Sequence, residues 1–295
     1  MELSVILVAY KSGPIVRQAL ESIAQYNDIG DELEVIVVDN SPEKERIYPD
    51  IQDIPLPHFQ YVPSDNRGFG AGNNEGVKVS KGKILAFLNP DIILVEPIFK
   101  KIIQRFQKES IGMLGIQLCY ENGKPGFSFY NDYQMSSIKK WTLKLWNKMG
   151  RFNPNQMYIS GADMFVPRDL FIQAGMFDEH MFMYYEEPDL KRRIEKLDPS
   201  KKSVYDGSLK MIHLEKKSTP SSLAMIGHEM DSSVYYGKKY DLDYQKKLVF
   251  EYKYYGTKEK VYRIINKEKA KQMHEIRVYM KERMDAHDIG CDGNV

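Results

Sequence analysis

Two groups of side chains in this chain have the types and spacing to do chemistry. The first is Asp39, Asp91 and His213, each at the end of a short apolar run: Leu33 to Val38, Lys83 to Leu88 (through Asn89-Pro90), and Leu209 to Ile212. A hard cation takes oxygen ligands and keeps ligand phosphate oxygens in its shell, so one or two protein groups of this kind suffice. The second is Glu186-Glu187-Pro188-Asp189, three carboxylates within one turn of a helix start, directly behind the aromatic and methionine-rich run Phe177 to Tyr185. Such surroundings half-desolvate a carboxylate and raise its pKa, as a general base requires. Each pattern also has a structural reading. Asn-Pro-Asp is good turn chemistry anywhere. Acidic residues suit the first turn of a helix, with proline at its first position, and a lone histidine is more often a core or capping residue than a ligand.

The elements that must position these groups follow from periodicity. Ser4 to Ala9 and Leu33 to Val38 are apolar runs of the kind a strand buried on both faces needs. Pro14 opens a helix whose apolar positions are Ile15, Ala19, Leu20 and Ile23. Phe59 to Val62 and Lys83 to Leu88 read as further strands, with a glycine-rich loop from Asn66 to Gly72 that leads into a helix ending at Val79, and a helix over Pro97 to Phe106. Cys119 to Gly150 reads as loops with a short amphipathic helix around Trp141 to Trp146. Met157 to Val166 reads as one strand, Arg168 to Ala174 as a helix closed by Gly175, Glu187 to Leu197 as a charged helix, and Ser203 to Tyr205 and Leu209 to His213 as short strands. This alternation predicts an α/β fold with a mostly parallel sheet, whose ligands bind beyond the carboxyl ends of the strands. Asp39 and Asp91 stand at such ends.

Composition removes several classes of function. The 295 residues are 42% apolar and 28% charged, with a net charge of +1, which gives no field for nucleic acid. The two cysteines, Cys119 and Cys291, form neither a disulfide framework nor a zinc site and suit a reducing cytoplasm. The apolar start MELSVILVAYKSG lacks a basic leader and is too short to cross a bilayer. The glycine spacing of residues 66–72 is not the dinucleotide fingerprint, and no Walker motif, nucleophile elbow or His-Glu-x-x-His zinc motif is present.

Six segments in register, SVILVAYKSG, VIVVDNSP, NRGFGAGNNEG, FLNPDIIL, SGADMFVPRDLFIQAGMFDEHMFMYYEEPDLKRRI and IHLEKKST, resemble the inverting glycosyltransferases of the GT-A fold, family two. More narrowly they resemble the bacterial rhamnosyltransferase branch that builds O-antigen, capsule and cell-wall polysaccharides. The resemblance implies a Rossmann-like central sheet flanked by helices, and a nucleotide-sugar donor. It implies that Ala9 and Tyr10 line the base pocket, that Asp39 meets the base or ribose, that Asn66 and Arg67 lie along the nucleotide, and that Asn73 and Asn74 face the sugar. Asn89-Pro90-Asp91 stands where the Asp-x-Asp metal motif stands, so that Asp91, with His213 as second ligand, holds Mg²⁺ or Mn²⁺. Asn89 replaces the first acid of that motif. The base position carries Glu186-Glu187 in place of Glu-Asp. Glu187 is the base by position, with Glu186 and Asp189 within one turn as alternatives.

The implied reaction moves a sugar, L-rhamnose from dTDP-rhamnose, to a glycan or polyprenyl-diphosphate-linked acceptor. UDP-galactofuranose, UDP-glucose and UDP-galactose stand as alternative donors, and a non-catalytic nucleotide-sugar-binding subunit as a different class. The expected division is a catalytic domain over 1–226 and an amphipathic helical extension over 227–295. In that extension the tyrosines between Tyr235 and Tyr255 alternate with lysines. Packing against the catalytic domain or a homodimer partner is one reading of that pattern. Peripheral contact with the inner face of the cell membrane is the other.

Overall fold

A computed structural model describes residues 1–133, 135–214, 223–287 and 289, the side chain of Lys139 apart. Cys291, residues 215–219 of the last motif and most of the polar end beyond Asp285 lie outside the described residues. The strands are β1 (Leu3–Ala9), β2 (Leu33–Asp39), β3 (Phe59–Pro63), β4 (Ile84–Leu88), β5 (Ile92–Leu94), β6 (Ile111–Cys119), β7 (Phe129–Asn131), β8 (Met157–Ile159), β9 (Asp163–Pro167) and β10 (Lys202–His213). The helices are α1 (Gly13–Gln25), α2 (Tyr48–Ile51), α3 (Phe69–Val79), α4 (Phe99–Lys108), α5 (Ser137–Met149), α6 (Arg168–Gln173), α7 (Glu186–Leu197), α8 (Leu223–Lys239), α9 (Tyr244–Ile265) and α10 (Lys267–Ala286). Close contacts divide the chain into two compact units. A sheet unit comprises residues 1–132, 144–182 and 186–220, and a helical unit comprises 133–143, 183–185 and 221–295.

In the sheet unit eight strands run in the order β3-β2-β1-β4-β9-β6-β10-β5. β1, β2, β3 and β4 pair in parallel, as do β6 and β10, while β9 lies antiparallel between β4 and β6. Strands β1, β2 and β4 are apolar on both faces because both faces are covered. Val5, Leu7 and Ala9 join one core cluster with Leu20 and Ile23 of α1 and Ile102 of α4. Ile6 joins the other with Val77 of α3, Phe171 of α6 and Leu190 of α7. Successive side chains of a strand point to opposite faces, so one unbroken apolar run serves both clusters.

The structure alters three expected elements. Ile111–Cys119 is a wholly buried strand that the pattern left unassigned. Met157 to Val166 is two strands, broken by a turn over residues 160–162, and β8 pairs with β7 in a separate small sheet. The two strands expected within 202–213 are a single strand with an irregularity between Asp206 and Lys210.

The helical unit is built by α8, α9 and α10 around Met230, Val234, Leu248, Ile276, Met280 and Met284. The side chains of Asp243 and Asn266 accept hydrogen bonds from Lys246 N and Lys269 N and so cap α9 and α10. Of the interleaved tyrosines and lysines, Tyr236 and Lys247 are buried, and the other tyrosines are half-buried. Tyr236 is fully buried against Tyr185 and Tyr240, and the buried Lys247 pairs with Glu251.

Candidate active site

The carboxyl ends of four strands reach one edge of the sheet together, because Ala9 is level with Asp39, Asp39 with Pro63, and Leu7 with Leu88. In α/β sheets this is the edge where ligands bind. Past β1, β2 and β3 it opens into a cleft of ≈ 630 Å³, whose lining includes Tyr10, Asn40, Ser41, Arg46, Ser64 and Asn66. Tyr10 is 40% exposed, a flat ring at the mouth. Ala9, by contrast, is buried in β1, and its carbonyl accepts a hydrogen bond from Asn40 N at 2.9 Å.

Asp39 does not line the cleft. Its Oδ1 accepts from Ser41 N at 2.9 Å, and its Oδ2 accepts from Ile47 N at 2.8 Å and Tyr61 OH at 2.5 Å. Arg46, which no motif singled out, donates to the carbonyls of Asp39 and Ser64. In this structure the carboxylate expected against the base or ribose shapes the loop that walls the cleft. Two further expected contacts also turn elsewhere. Asn74 uses its amide on Phe177 N, Phe177 O and Glu179, and Asn73 donates back to Phe69 O within α3. Arg67 is held between Glu75 and Glu179 at 2.5 and 2.7 Å. Gly68, at φ 107°, lies so close to Phe182 that a Cβ would strike its carbonyl oxygen. The glycine-rich loop therefore acts here as a seat for residues 177–182.

Beyond β4 the edge carries the first group of chemical residues. β5 turns back against β10 so that Ile92 faces His213, and this brings the side chains of Asp91 and His213 together. Asp91 Oδ1 lies 3.2 Å from His213 Nε2, and Asn89 Nδ2 lies 3.3 Å from the same nitrogen. Asp91 is 1% exposed, while His213 is partly open. Among the described residues no three acidic, histidine or cysteine side chains gather to hold a metal. A carboxylate with one imidazole suits a divalent cation that draws its remaining ligands from phosphates.

The second group sits at the start of α7, and the structure separates its three carboxylates. Asp189 is fully buried and paired with Arg193 at 2.8 Å. Glu186 is 1% exposed, lies against Gly70, and its Oε1 has no hydrogen-bond partner among the described residues. Burial pushes its pKa well above the ordinary glutamate value, and the charge of Glu187 adds to this. Glu187 is half-buried, and its Oε1 accepts from Gly161 N at 2.9 Å. Burial raises its pKa too, against the pull of that hydrogen bond. A Cβ at Gly161 would meet the Glu187 carboxylate, so a side chain here would displace it. Immediately before Glu186, Tyr184 and Tyr185 both adopt φ 73°, a costly conformation for bulky residues that tends to cluster at functional sites.

One turn joins the two groups. Residues 160–162 give Gly161 N to Glu187, while Ala162 O accepts from Asn89 N at 3.1 Å. The sequence offered Gly161 inside a quoted motif, but only the three-dimensional register shows what it holds.

A mixed sheet with a cleft past its parallel strand ends is consistent with the GT-A fold. The sequence matches Glycosyl transferase family 2 over residues 4–170, more than half of the chain, and the chain belongs to that family. It is 26% identical over 200 residues to the low-salt glycan biosynthesis hexosyltransferase Agl10 of Haloferax volcanii, covering 63% of this chain and 59% of that protein. It is 27% identical over 129 residues to the minor teichoic acid biosynthesis protein GgaB of Bacillus subtilis, covering 42% of this chain and 14% of that protein. The chain therefore spans less than two thirds of either relative. Among solved structures, S. aureus TarS 1–349 in complex with UDP-GlcNAc superposes with a TM-score of 0.53 at 16% identity, covering 85% of this chain and 70% of that one. GalNAc-T7 with UDP, GalNAc and Mn²⁺ gives 0.53 at 14% identity, covering 77% and 47%. At these identities the structures share the fold.

Proposed function

We propose that this chain is an inverting, metal-dependent glycosyltransferase that moves a sugar from a nucleotide-sugar to a glycan or polyprenyl-diphosphate-linked acceptor in the synthesis of a bacterial surface polysaccharide. The observation that carries this reading is the turn at 160–162, which ties the Glu187 carboxylate to the strand end bearing Asn89 and Asp91. Family membership and the names of Agl10 and GgaB support the reaction class. Resemblance of the six motifs supports L-rhamnose from dTDP-rhamnose as the donor, with UDP-galactofuranose, UDP-glucose and UDP-galactose as the alternatives to test. The transfer chemistry is assigned to residues 1–226, and 227–295 form the appendage.

In this reading the nucleoside occupies the cleft beside Tyr10 and Asn66. The acceptor hydroxyl, with a pKa far above seven, gives its proton to Glu187 as it attacks the sugar C1. Attack comes from the face opposite the departing nucleotide, so the configuration inverts in one displacement. Asp189, already neutralised by Arg193, is a poor base, and Glu186 is too enclosed to reach an acceptor. Asp91 and His213 would hold Mg²⁺ or Mn²⁺, which supplies charge neutralisation for the leaving diphosphate.

A thermal-shift panel of nucleotide-sugars with and without Mn²⁺ tests the reading, since a ligand that binds only the native state raises Tm. A donor that raises Tm more with Mn²⁺, and loses that increment in Asp91→Asn, is expected. Binding without hydrolysis or transfer of any donor would instead assign the chain to the non-catalytic class.

A further inference from the structure

Helix α5 presents its apolar side chains to water. Its sequence, SIKKWTLKLWNKM, has four lysines and no acidic residue. At about 100° per residue, Trp141, Leu145, Ile138 and Met149 share roughly 80° of arc. They are 69%, 40%, 75% and 50% exposed, whereas Leu143 and Asn147, on the other side, are buried. An amphipathic helix of a globular protein turns its apolar arc inward. Here the arc faces outward, with Lys144 and Lys148 along one side of it.

The end of α9 repeats the arrangement. Val261, Ile264 and Ile265 are 51%, 87% and 68% exposed. Between Lys258 and Lys271 the chain has five lysines and Arg263 against two acids, of which Glu259 is already paired with Arg263 and Arg277. The first half of α5 rests on α9, with Lys140 Nζ 4.3 Å from the Tyr254 ring, two turns before Val261. No helix among the described residues is long and apolar enough to cross a membrane.

We propose that two surfaces of the helical unit, the first half of α5 with Ile138 and Trp141 and the α9–α10 tip, dock together on an anionic lipid bilayer. Charge complementarity selects this occupant. Lysines beside exposed Trp, Ile and Leu match a partner whose outer layer is anionic and whose interior is apolar, and tryptophan favours the boundary between the two. Two separate apolar tips, each edged by cations, suit an extended layer better than a single protein groove. The proposal does not depend on which sugar is moved, or on transfer at all.

Co-sedimentation of the full chain with vesicles tests it without any donor. Vesicles of equal parts phosphatidylglycerol and phosphatidylcholine are expected to bind the chain at low salt. Binding is expected to weaken at roughly 0.5 M salt and to be much lower with phosphatidylcholine alone. Trp141→Glu with Ile264→Glu is expected to lower the bound fraction about tenfold at unchanged Tm, and Ile264→Glu alone to lower it by less. In Trp146→Phe, which leaves Trp141 as the sole tryptophan, emission is expected to shift to the blue on vesicle addition. Absence of binding at low salt, equal binding to neutral vesicles, or binding unchanged in the double variant overturns the proposal. A dimer in solution that already shields Trp141 overturns it as well and assigns the surface to a second copy of the chain.

Discussion

Three buried carboxylates, Glu259 in the helical unit and Glu186 and Asp163 in the sheet unit, keep different company. In the helical unit Glu259 is 2% exposed and accepts from Arg277 at 2.8 Å and Arg263 at 2.5 Å, with His274 at 3.3 Å. The hydrogen bond from Arg277 leads in holding its pKa below the ordinary glutamate value, even though burial pulls the other way. In the sheet unit Glu186 and Asp163 are as deeply buried, yet neither has a cation within ion-pairing distance among the described residues. Asp163 accepts from Ile116 N at 2.8 Å through one oxygen, and its other oxygen has no hydrogen-bond partner among the described residues. Burial drives its pKa well above the aspartate value. Desolvation is offset by pairing at Glu259 and left standing at Glu186 and Asp163, and Glu229 of the helical unit, pushed up to about 7 by burial and then by the charge of Glu251, belongs with the latter two. Asp189, also in the sheet unit, is neutralised by Arg193.

The strongest way to break this contrast is Glu187→Gln, which keeps shape and removes basicity. It is expected to lower kcat at least about a hundredfold while donor affinity stays nearly constant. In the wild type the acid limb of the rate profile is expected to fall at a pH above the ordinary glutamate range, because the base must be ionised and burial raises its pKa. Steady-state rates across pH check this, and an equal loss in Glu186→Gln with none in Glu187→Gln would move the base by one residue. Gly161→Ala is the next largest. Its methyl group displaces the Glu187 carboxylate without touching its chemistry, and kcat is expected to fall about tenfold with Tm close to wild type.

Stability measurements sharpen the other side of the comparison. Glu259→Gln is expected to cost about 1 kcal/mol, the scale of a lost hydrogen bond, and to lower Tm by a few degrees in a calorimetric scan. Since the folded pKa of Glu259 is depressed, its contribution is present above the unfolded glutamate pKa and is lost as pH falls through the folded value. Asp163→Asn has the opposite sign. The folded pKa of Asp163 is raised, so the stability tied to its proton is full below the unfolded pKa and is lost as pH rises through the folded one. The amide keeps an oxygen for Ile116 N and removes the buried charge. Tm at neutral pH is expected to rise slightly, by the equivalent of about 1 kcal/mol, and unchanged or lower Tm would show that Asp163 is not a burden on the fold.

How far the sequence could be read depends on what holds each part together. β1, β2 and β4 were legible because local apolar runs specify buried strands. β6 was not, because Gly112 and Gly115 interrupt its run and its partners lie far along the chain. The places of Glu187 and Asp91, at a helix start and just past a strand end, were legible from the run of apolar residues around them. The engagement of Asp39 by Tyr61 and of Asn74 by Phe177 was not, since each depends on a loop with no periodicity of its own. The different surroundings of Glu186, Glu187 and Asp189 depend on the three-dimensional neighbours Gly70, Gly161 and Arg193.

The backward strand β9 also has a consequence for how the chain is made. β4 has β1 on one side as soon as it emerges from the ribosome, but its other neighbour, β9, follows roughly 75 residues later, from Leu88 to Asp163. At ordinary synthesis rates this is roughly 4 to 15 s, during which the open edge of β4 can pair wrongly with β6, which is made earlier. A nascent chain stalled between Cys119 and Asp163 therefore carries an unfilled slot in its sheet. Such a chain is expected to be the form most readily bound by chaperones and most prone to aggregate.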